Sequence, residues 1–499
     1  MEVQVDLSHR QPGFLIVGLP GKSTQESRER IRTAIQNAGY RFPSKEKILV
    51  NLAPAFQKKD GGVFDLAVAL GILVTTGQIN PAGSQKDVLS IGFLGELGLK
   101  GELRPVPGAL LIASSLRCRN VRRVVVPEQN AREVAIDPRT EVLAVRDLHE
   151  AVESLVTGGE RYRYHRAVCR RTARSRSPDF AEVRGQEMTK RGLLVAASGG
   201  HNVLLTGPPG VGKTMLAQRI PGILPPLMPE ELLEVNRVYS AKGLPYQGER
   251  PVRAPHHTVS YVGLVGGGAP PRPGEISLAH RGVLFLDELP EFPRRVLETL
   301  RQPLESGSVS IVRRSGSVVY PAQFLLIGAM NPCPCGYDGH PSIPCRCPYG
   351  AIERYRQRVS GPLLDRLDIC LDVQPPTAAH VLASPSAGGE PTESTESTST
   401  PTKVLLERVL RAGRMQSRRW KGPLLNGQLS QEQLLRDGKF AVATRHFLVR
   451  YADRRGMSAR ALGRVLRIAR TVADLDESVV VGEEHLLEAL GLHRQDRGN

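Results

Sequence analysis

The sequence is poor in aromatic residues and contains no long apolar run. Aromatic side chains make up 5% of the 499 residues, with a single tryptophan, so the hydrophobic cores must be mainly aliphatic. No apolar run approaches the roughly 18 residues that a membrane-spanning helix needs. The first ten residues, MEVQVDLSHR, alternate like a strand and lack the basic start and apolar centre of a signal peptide. We therefore expect a cytoplasmic protein with no membrane partner.

Cysteine and acidic residues are also few. Seven cysteines in a cytosolic chain do not indicate a disulfide framework. Lys and Arg number 67 against 50 Asp and Glu, which gives a formal net charge of +17. This excess favours polyanionic partners, and nucleic acid is the commonest of them. The alternatives are a basic linker that dominates the sum or a generally basic proteome.

Two stretches of biased composition divide a chain that is too long for one hydrophobic core. Residues 157–178 are dense in arginine and are predicted to form an exposed basic linker. Residues 383–402 are a low-complexity Ser/Thr/Glu/Pro stretch that cannot build a core. The domains that these linkers delimit are residues 1–156, residues 179–382 and residues 403–499.

The pattern of apolar residues differs among the three domains. Residues 1–156 alternate strand-like runs with helical stretches, which predicts an α/β domain. Residues 403–499 carry only helical patterns and are predicted to form a small helical domain. In residues 179–382, continuous apolar runs precede helices, as in a parallel sheet covered on both faces. The strands predicted there are Val203–Thr206, Val283–Leu286 and 324–328.

The segment GPPGVGKT, residues 207–214, fits the phosphate-loop pattern G-x-x-x-x-G-K-[ST] between a strand and a helix. Its glycines let the backbone curl, so that N–H groups point at phosphate oxygens beside a helix N-terminus. Lys213 is predicted to neutralise the β- and γ-phosphates of ATP, and the Thr214 hydroxyl to hold Mg²⁺. The predicted nucleotide-binding residues of this loop are Gly207, Pro208, Pro209, Gly210, Val211, Gly212, Lys213 and Thr214.

Two acidic residues follow the predicted strand Val283–Leu286. Asp287 is predicted to bind nucleotide as the second Mg²⁺-coordinating residue of a phosphate-loop enzyme. Glu288 is placed to polarise the attacking water as a general base. The alternative is a helix start that carries two acids for structural reasons. Downstream of a phosphate loop, the pair predicts hydrolysis.

Five longer stretches are specific enough to indicate a family. They are RAPHH (253–257), PRPGEISLAH (271–280), LDELPEF (286–292), AMNPCPCG (329–336) and SGPLLDRLD (360–368). They resemble the ComM/YifB family of bacteria, a magnesium-chelatase-like branch of the AAA+ ATPases, and the resemblance covers nearly the whole chain. It implies an α/β P-loop AAA+ ATPase core with a helical lid, preceded by a ribosomal-S5-domain-2-like (Lon-protease-like) α+β domain.

The resemblance also implies roles for three further residues. Asn331 corresponds to sensor 1, which helps to orient the water, and Arg460 matches sensor 2 on the lid. Arg366 corresponds to the arginine finger, which stabilises charge as the γ-phosphoryl group leaves the ATP of a neighbouring subunit. Taken alone, either arginine is typical of a helix surface. A finger that acts on the neighbour implies a homo-oligomeric ring, and the family suggests a hexamer.

Residues 332–350 form an irregular insertion that is rich in Cys, Pro and Gly. Cys333, Cys335, Cys345 and Cys347 give the spacing C-x-C-x9-C-x-C. Four such thiols are candidates for a tetrahedral Zn²⁺ site that stiffens a loop with little core. Since the usual structural spacing is C-x₂₋₄-C, a set of reduced loop thiols without metal stays an equal alternative.

A basic hairpin is the candidate DNA contact. Residues 309–312 and 317–320 are predicted strands, with Arg313 and Arg314 at the tip between them. In related ring helicases a hairpin before sensor 1 projects into the central pore, where arginines meet phosphates. The alternative is a solvated tip. The linker arginines are a second candidate for nucleic-acid contact or merely a tether.

Two other features received structural interpretations. The glycine-rich residues 262–268, with residues 270–274, are predicted to be a flexible insertion that resembles the helix-2 insert of these motors. His256 and His257 lack a metal-like partner pattern and are interpreted as structural. Neither feature is predicted to belong to the catalytic site.

A peptidase alternative follows from the Lon-like first domain, and the residues exclude it. Lon uses a Ser-Lys dyad for acyl transfer. The approximately aligned positions here are Val63 and Leu110. Neither side chain is a nucleophile or a base.

Three functions then compete. The first is an ATP-driven DNA motor, and the resemblance implies a helicase that promotes branch migration of single-stranded or branched DNA during transformation. The second is a magnesium-chelatase-like or protein-remodelling AAA+ ATPase without helicase activity. We disfavour it because the chelatase ATPase subunit is expected to lack a domain like residues 1–156. A nucleotide-dependent scaffold is disfavoured because every candidate catalytic residue is present.

Overall fold

The computed structural model describes residues 1–9, 11–18, 22–54, 61–83, 89–165, 178–268, 271–313, 316–375 and 400–493, with only the backbone of residues 22–25, 313 and 316. The chain forms two compact units. The first comprises Met1–Thr172 and Pro229–Gly248, and the second comprises Ala173–Met228 and Glu249–Asn499.

The first unit is an α/β structure with a mixed and a parallel three-stranded sheet. Its strands are β1 (Glu2–Ser8), β2 (Gly13–Val17), β3 (Lys47–Ala53), β4 (Ile91–Phe93), β5 (Glu96–Leu97), β6 (Leu103–Arg104), β7 (Arg123–Pro127) and β8 (Glu141–Val145). Its helices up to residue 157 are α1 (Lys22–Asn37), α2 (Asp65–Thr75), α3 (Ala109–Arg117), α4 (Glu128–Val134) and α5 (Leu148–Thr157). In the sheet β1-β3-β2, β1 runs antiparallel and β2 parallel to β3, whereas the sheet β4-β7-β8 is parallel.

The core of the first unit follows from the alternation of β3. Ile48, Val50 and Leu52 are buried, and the residues between them are half-buried. These side chains belong to one hydrophobic cluster with Ile31 of α1 and Leu66 of α2. Alternating burial is typical of a sheet with one face against a core.

The predicted linker, residues 157–178, is not wholly a linker, because its first residues still pack on the first unit. Glu160–Tyr162 form a short 3₁₀ helix, and the backbone N–H of Tyr164 donates to Val142 O at 2.8 Å. Arg161 pairs with Glu153 at 3.2 Å. Composition could not show this, because the acidic and backbone partners come from earlier elements. Residues 166–177 lie outside the described residues.

The second unit is built on a parallel sheet with the strand order β10-β13-β16-β9-β17. Its strands are β9 (Val203–Thr206), β10 (Val252–Arg253), β11 (Gly266–Gly267), β12 (Arg272–Pro273), β13 (Val283–Leu286), β14 (Ser308–Arg313), β15 (Gly316–Pro321), β16 (Leu325–Met330) and β17 (Ile369–Asp372). Every residue of β9, β13 and β16 is buried. Two of the three predicted strands have the predicted bounds, and the third begins one residue later and ends two residues later than residues 324–328.

Helices surround this sheet and form the C-terminal part of the second unit. They are α6 (Glu187–Gly199), α7 (Lys213–Ile223), α9 (Tyr261–Val265), α10 (Glu275–Leu278), α11 (Arg294–Glu298), α12 (Arg301–Ser306), α13 (Tyr349–Arg356), α14 (Gly361–Leu364), α15 (Thr402–Trp420), α16 (Gln431–Asp437), α17 (Val442–Arg455), α18 (Ala459–Leu475) and α19 (Glu483–Leu492). Val409 of α15 and Val472 of α18 share a core with Leu205 of β9. The predicted fold class, a parallel α/β core with a helical C-terminal region, is confirmed. Among the described residues, no helix is both long and apolar enough to cross a membrane.

The helix α8 (Pro229–Lys242) lies within residues 179–382 in sequence but belongs to the first unit. Its Ser240 hydroxyl donates to Glu133 Oε1 at 2.5 Å. After it, the Tyr246 ring receives the Arg132 guanidinium at 4.4 Å from its centroid. The domain boundaries given by the sequence stay predictions. They do not foresee that this helix packs with the first unit.

The glycine-rich segment predicted as a flexible insertion is instead packed. Its first part lies in α9, where Leu264 is fully buried, and β11 pairs antiparallel with β12. A Cβ added at Gly274 would lie 2.4 Å from the backbone nitrogen of Gly266. Glycine is needed here because two backbone segments approach closely, not because the segment must move. Residues 269–270 lie outside the described residues.

Candidate active site

The predicted phosphate loop connects β9 to α7 at the carboxyl end of the parallel sheet. Gly210 and Gly212 have φ of 78° and 91°, in the left-handed region that favours glycine. A Cβ at Gly207 would lie 2.3 Å from Val373 O. All three glycines of the loop, the two of the pattern and Gly210, are therefore required by backbone geometry.

Lys213 connects the loop to the residue predicted as sensor 1. Its ammonium donates to Gly207 O at 2.7 Å, to Pro208 O at 2.8 Å and to Asn331 Oδ1 at 3.0 Å. Burial lowers the pKa of Lys213, and the charges of Asp287 and Glu288 act in the opposite direction. Among the described residues, the ammonium bonds to neutral acceptors and to no carboxylate, an arrangement that favours binding of an anion.

The two predicted Mg²⁺ ligands meet in space. Thr214 Oγ1 donates to Asp287 Oδ2 at 2.6 Å. The backbone N–H of Glu288 donates to the other carboxylate oxygen of Asp287 at 3.0 Å, which fixes the orientation of that carboxylate. A hydroxyl and a carboxylate oxygen are hard ligands of the kind that Mg²⁺ takes beside nucleotide phosphates. The residues therefore fit this ion.

The predicted general base has a partner, His257, that is not among the predicted site residues. Glu288 has φ of 52°, and its side chain is 60% exposed. Its Oε2 lies 3.4 Å from Nδ1 of His257, whose ring meets Phe292 edge-on at 6.4 Å between centroids. His257 therefore contacts the candidate site in addition to any structural role. In the sequence, only its position in the RAPHH motif pointed to this contact.

The cysteine-rich insertion starts just after Asn331 and packs against the phosphate loop. Gly336 has φ of 85°, and a Cβ there would lie 2.6 Å from Cδ of Pro209. Arg356, at the end of α13 beyond the insertion, pairs with Asp338 within it at 2.6 Å. The insertion therefore connects the strand end that carries Asn331 with the loop that carries Lys213.

The four predicted zinc ligands converge. The Sγ–Sγ distances are 3.4 Å for Cys333–Cys335 and 3.6 Å from Cys345 to each of these two. All four sulfur atoms, including that of Cys347, lie within 4.8 Å of one another. A tetrahedral site with Zn–S bonds of about 2.3 Å has sulfur atoms about 3.8 Å apart.

Backbone N–H groups point at the sulfur atoms. Asp338 N donates to Cys333 Sγ at 3.3 Å, and Cys347 N donates to Cys345 Sγ at 3.4 Å. Backbone N–H groups of Arg346 and Tyr337 lower the pKa of Cys335 to about 6. The donor set and its spacing fit a zinc ion.

Arg366 lies at the opposite end of the strands from the phosphate loop. Its backbone oxygen accepts a hydrogen bond from Asn202 Nδ2 at 3.1 Å just before β9, whereas Gly207 follows the end of β9. Five residue steps of about 3.3 Å put these points about 16 Å apart. The guanidinium donates to Pro362 O at 2.5 Å and pairs with Glu305. Within one subunit, Arg366 is therefore not brought to the other candidates.

Arg460 is exposed in the first turn of α18. One turn later, the buried Arg464 donates to Leu367 O at 3.2 Å and to Asp365 Oδ1 at 3.4 Å. These two acceptors flank Arg366 in the chain. Arg464 is not among the predicted site residues, although its spacing of four residues from Arg460 puts both on one helix face.

The candidate DNA hairpin forms as a backbone structure. β14 pairs antiparallel with β15, and Arg313 lies opposite Gly316 at the last pair before the tip. Arg314 and the side chain of Arg313 lie outside the described residues. So do five linker arginines, which are Arg166, Arg170, Arg171, Arg174 and Arg176.

Three protein-family models match the chain. Residues 179–381 match "Magnesium chelatase, subunit ChlI", residues 3–130 match "Subunit ChlI of Mg-chelatase", and residues 399–493 match "Magnesium chelatase, subunit ChlI C-terminal". The second match covers most of the first domain. That domain therefore does not argue against a chelatase-like activity, contrary to the expectation from the sequence.

The individual relatives differ in how much of this chain they match. YifB of Escherichia coli (strain K12) is 40% identical over 503 residues, which are 99% of this chain and 94% of that protein. Competence protein ComM of Haemophilus influenzae is 39% identical over 498 residues, 98% of this chain and 93% of that protein. The magnesium-chelatase 67 kDa subunit of Heliobacterium mobile is 29% identical over 195 residues, only 32% of this chain and 29% of that protein.

Proposed function

The chain belongs to the magnesium-chelatase-like AAA+ ATPase family together with YifB and ComM, and from this premise we propose that it is an ATP-dependent, ring-forming motor that acts on DNA. The observation that carries the ATPase part is the convergence of Lys213 with Asn331 and of Thr214 with Asp287. These pairs join the ends of three neighbouring strands into one site. We further propose that the motor is a helicase that promotes branch migration during transformation or recombination.

The positions of the side chains support a proposed route for the hydrolysis of ATP. Lys213 exchanges its carbonyl acceptors for the β- and γ-phosphate oxygens, which are stronger acceptors. Glu288, oriented by His257, takes a proton from the attacking water, and Asn331 holds that water against the γ-phosphate. Thr214 and Asp287 would hold Mg²⁺, which would neutralise charge on the phosphates.

The remaining positive charge comes from a neighbouring copy. Arg366 stabilises the charge that develops as the γ-phosphoryl group leaves. Its distance from its own phosphate loop supports action on the next subunit, and hence a homo-oligomeric ring; the family suggests a hexamer. Arg460 is proposed to contact the nucleotide from the lid.

DNA as the partner is supported by charge and by one relative. The net charge of +17 favours a polyanion, and the relative that is similar over 98% of this chain is a competence protein. The chelatase-like alternative is supported by the three family models, but the magnesium-chelatase subunit of Heliobacterium mobile is similar over only 32% of this chain. We therefore propose single-stranded or branched DNA as the partner, contacted through Arg313 and Arg314 in the pore.

The test is the ATPase rate with and without single-stranded or branched DNA. We expect DNA to stimulate turnover of the unaltered chain, and Arg313→Ala/Arg314→Ala to keep the basal rate but lose the stimulation. An ATPase that no DNA stimulates would remove the helicase proposal and leave the ATPase intact. Stimulation that persists in the double variant would move the DNA contact away from the hairpin.

We also propose that Cys333, Cys335, Cys345 and Cys347 hold one structural Zn²⁺. The sulfur spacing and the N–H groups that point at sulfur support it. Protein purified without added metal should contain about one zinc per chain by elemental analysis. Cys335→Ser/Cys347→Ser should lose it, whereas Cys118→Ser, at an exposed thiol elsewhere, should keep it. Zinc-free wild-type protein would contradict the proposal. Reduced thiols of this kind suit a cytoplasmic protein.

A further inference from the structure

A basic cleft lies in the helical region of the second unit, away from the phosphate loop. Its volume is about 780 Å³, within the range of ligand-binding pockets. It is lined where α15 ends, along the segment that follows, and at the end of α16. The charged and aromatic residues that line it are Arg418, Arg419, Trp420, Lys421, Arg436 and Lys439, with Asp437 as the acid.

Three of these cations have side chains that are not neutralised within the described part of the chain. Arg419 pairs with Asp474 at 2.6 Å, and Arg436 pairs with Asp437 at 3.0 Å. Arg418, Lys421 and Lys439 are exposed and form no ion pair with a described residue. The cleft therefore presents a net positive field to a ligand.

Two of the unpaired cations occupy backbone positions that favour glycine. Lys421 ends α15 with φ of 52°, and Lys439 follows α16 with φ of 54°. A left-handed residue just after a helix is most often glycine, since a Cβ is strained there. Lysine at both positions, on one cleft, points to a use for the two charges.

The aromatic residue of the cleft is the only tryptophan in the chain. Trp420 is half-buried, and its indole Nε1 donates to Asn426 Oδ1 at 3.0 Å. The Arg419 guanidinium lies 5.6 Å from the ring centroid. The ring is thus held in place before any ligand arrives, which lowers the entropy cost of stacking against it.

We propose that this cleft binds single-stranded nucleic acid, with phosphates contacting Arg418, Lys421 and Lys439 and a base stacking on Trp420. Cations beside an aromatic platform are the combination that binds single strands without sequence preference. An acidic peptide offers the charge but no base to stack. The inference rests on the proposed function for its choice of polyanion and adds a contact outside the pore hairpin.

The fluorescence of Trp420 provides the test, because no other tryptophan contributes. Full-length protein is titrated with oligothymidylate of about 20 nucleotides, without ATP. We expect saturable quenching whose affinity falls with salt. Lys421→Gly/Lys439→Gly should weaken binding about tenfold and make the salt dependence shallower by about 1.4 in log–log slope, since each phosphate contact contributes about 0.7. Because glycine relieves the left-handed strain, this variant should melt no lower than the unaltered chain.

The matched control is Arg450→Gln/Arg454→Gln, which removes two exposed charges from α17 outside the cleft. It should change affinity less than about twofold. Absence of quenching, or an equal loss of affinity in the control, would overturn the proposal, and so would equal quenching by polyglutamate, which indicates an acidic-peptide site. If DNA stimulates the ATPase but does not quench Trp420, only the proposal for the cleft is refuted. If DNA quenches Trp420 but does not stimulate the ATPase, only the proposed motor function is refuted.

Discussion

Replacement of Arg366 by alanine tests whether each ATP site is completed by a neighbour. We expect hydrolysis to fall by about 10³- to 10⁵-fold, the range measured for loss of an arginine finger. ATP binding should persist, because the side chain lies at the far end of β9 from the loop. Glu305, the lost ion-pair partner, is 60% exposed, but the Arg366 side chain is only 13% exposed, so the loss of the pair should cost more than the about 1 kcal/mol of an exposed pair. A thermal melt must therefore show that the variant is folded.

Mixing two inactive variants measures the trans arrangement directly. Arg366→Ala subunits retain a working loop, and Lys213→Ala subunits retain a working finger. In a random equal mixture, about a quarter of the subunit interfaces combine a working loop with a working finger. The mixture should therefore recover up to about a quarter of the wild-type ATPase rate.

The control mixture combines Arg366→Ala with the double variant Lys213→Ala/Arg366→Ala, which supplies no finger at any interface. It should stay inactive. Light scattering must show that every mixture assembles. The trans finger would be refuted if the assembled mixture of Arg366→Ala and Lys213→Ala were no more active than this control. It would also be refuted if Arg366→Ala alone turned over ATP at the wild-type rate.

Two further predictions concern the contact between Gly336 and the phosphate loop, and the buried His201. Gly336→Ala puts a Cβ against Pro209 and should raise KM for ATP about tenfold, or about 1.4 kcal/mol. The control is Gly339→Ala, because Gly339 also has a positive φ but has open space around it. An equal rise in KM in both variants would show that the contact with Pro209 is not the cause. Burial lowers the pKa of His201 to about 3, from 6.5 in the unfolded chain. Its neutral form therefore stabilises the fold above pH 6.5, and that contribution is lost as the pH falls towards 3. Between pH 7.5 and 5, the unaltered chain should lose about 2 kcal/mol more unfolding free energy than His201→Gln, measured in urea by Trp420 fluorescence. Equal losses would contradict the assignment.

The parts of the site that depend on adjacent residues could be predicted from the sequence. The phosphate loop and the Asp287–Glu288 pair each follow a continuous apolar strand, and strands of that kind end at one edge of a parallel sheet. The cysteines lie close in sequence, so their convergence was foreseeable, while their unusual spacing left the metal open.

Contacts between distant segments could not be predicted. His257 reaches Glu288 because β10 pairs with β13, and nothing in the composition of RAPHH specifies that pairing. The glycine-rich segment near Gly274 resembled a flexible insertion because close backbone packing and flexibility select the same residue. The arginine-rich start of the linker found partners in α5 and β8, where Glu153 and Glu141 lie.

The helix α18 carries both Arg460, proposed to contact the subunit's own nucleotide, and Arg464. Arg464 donates hydrogen bonds to the residues on either side of Arg366. Arg460 and Arg464 are about one helical turn apart, roughly 6 Å along the axis. A tilt of this helix when ATP arrives or leaves would therefore re-aim the arginine that serves the next site. In the proposed ring, α18 would thus couple the nucleotide state of one subunit to the position of Arg366 at the next ATP site.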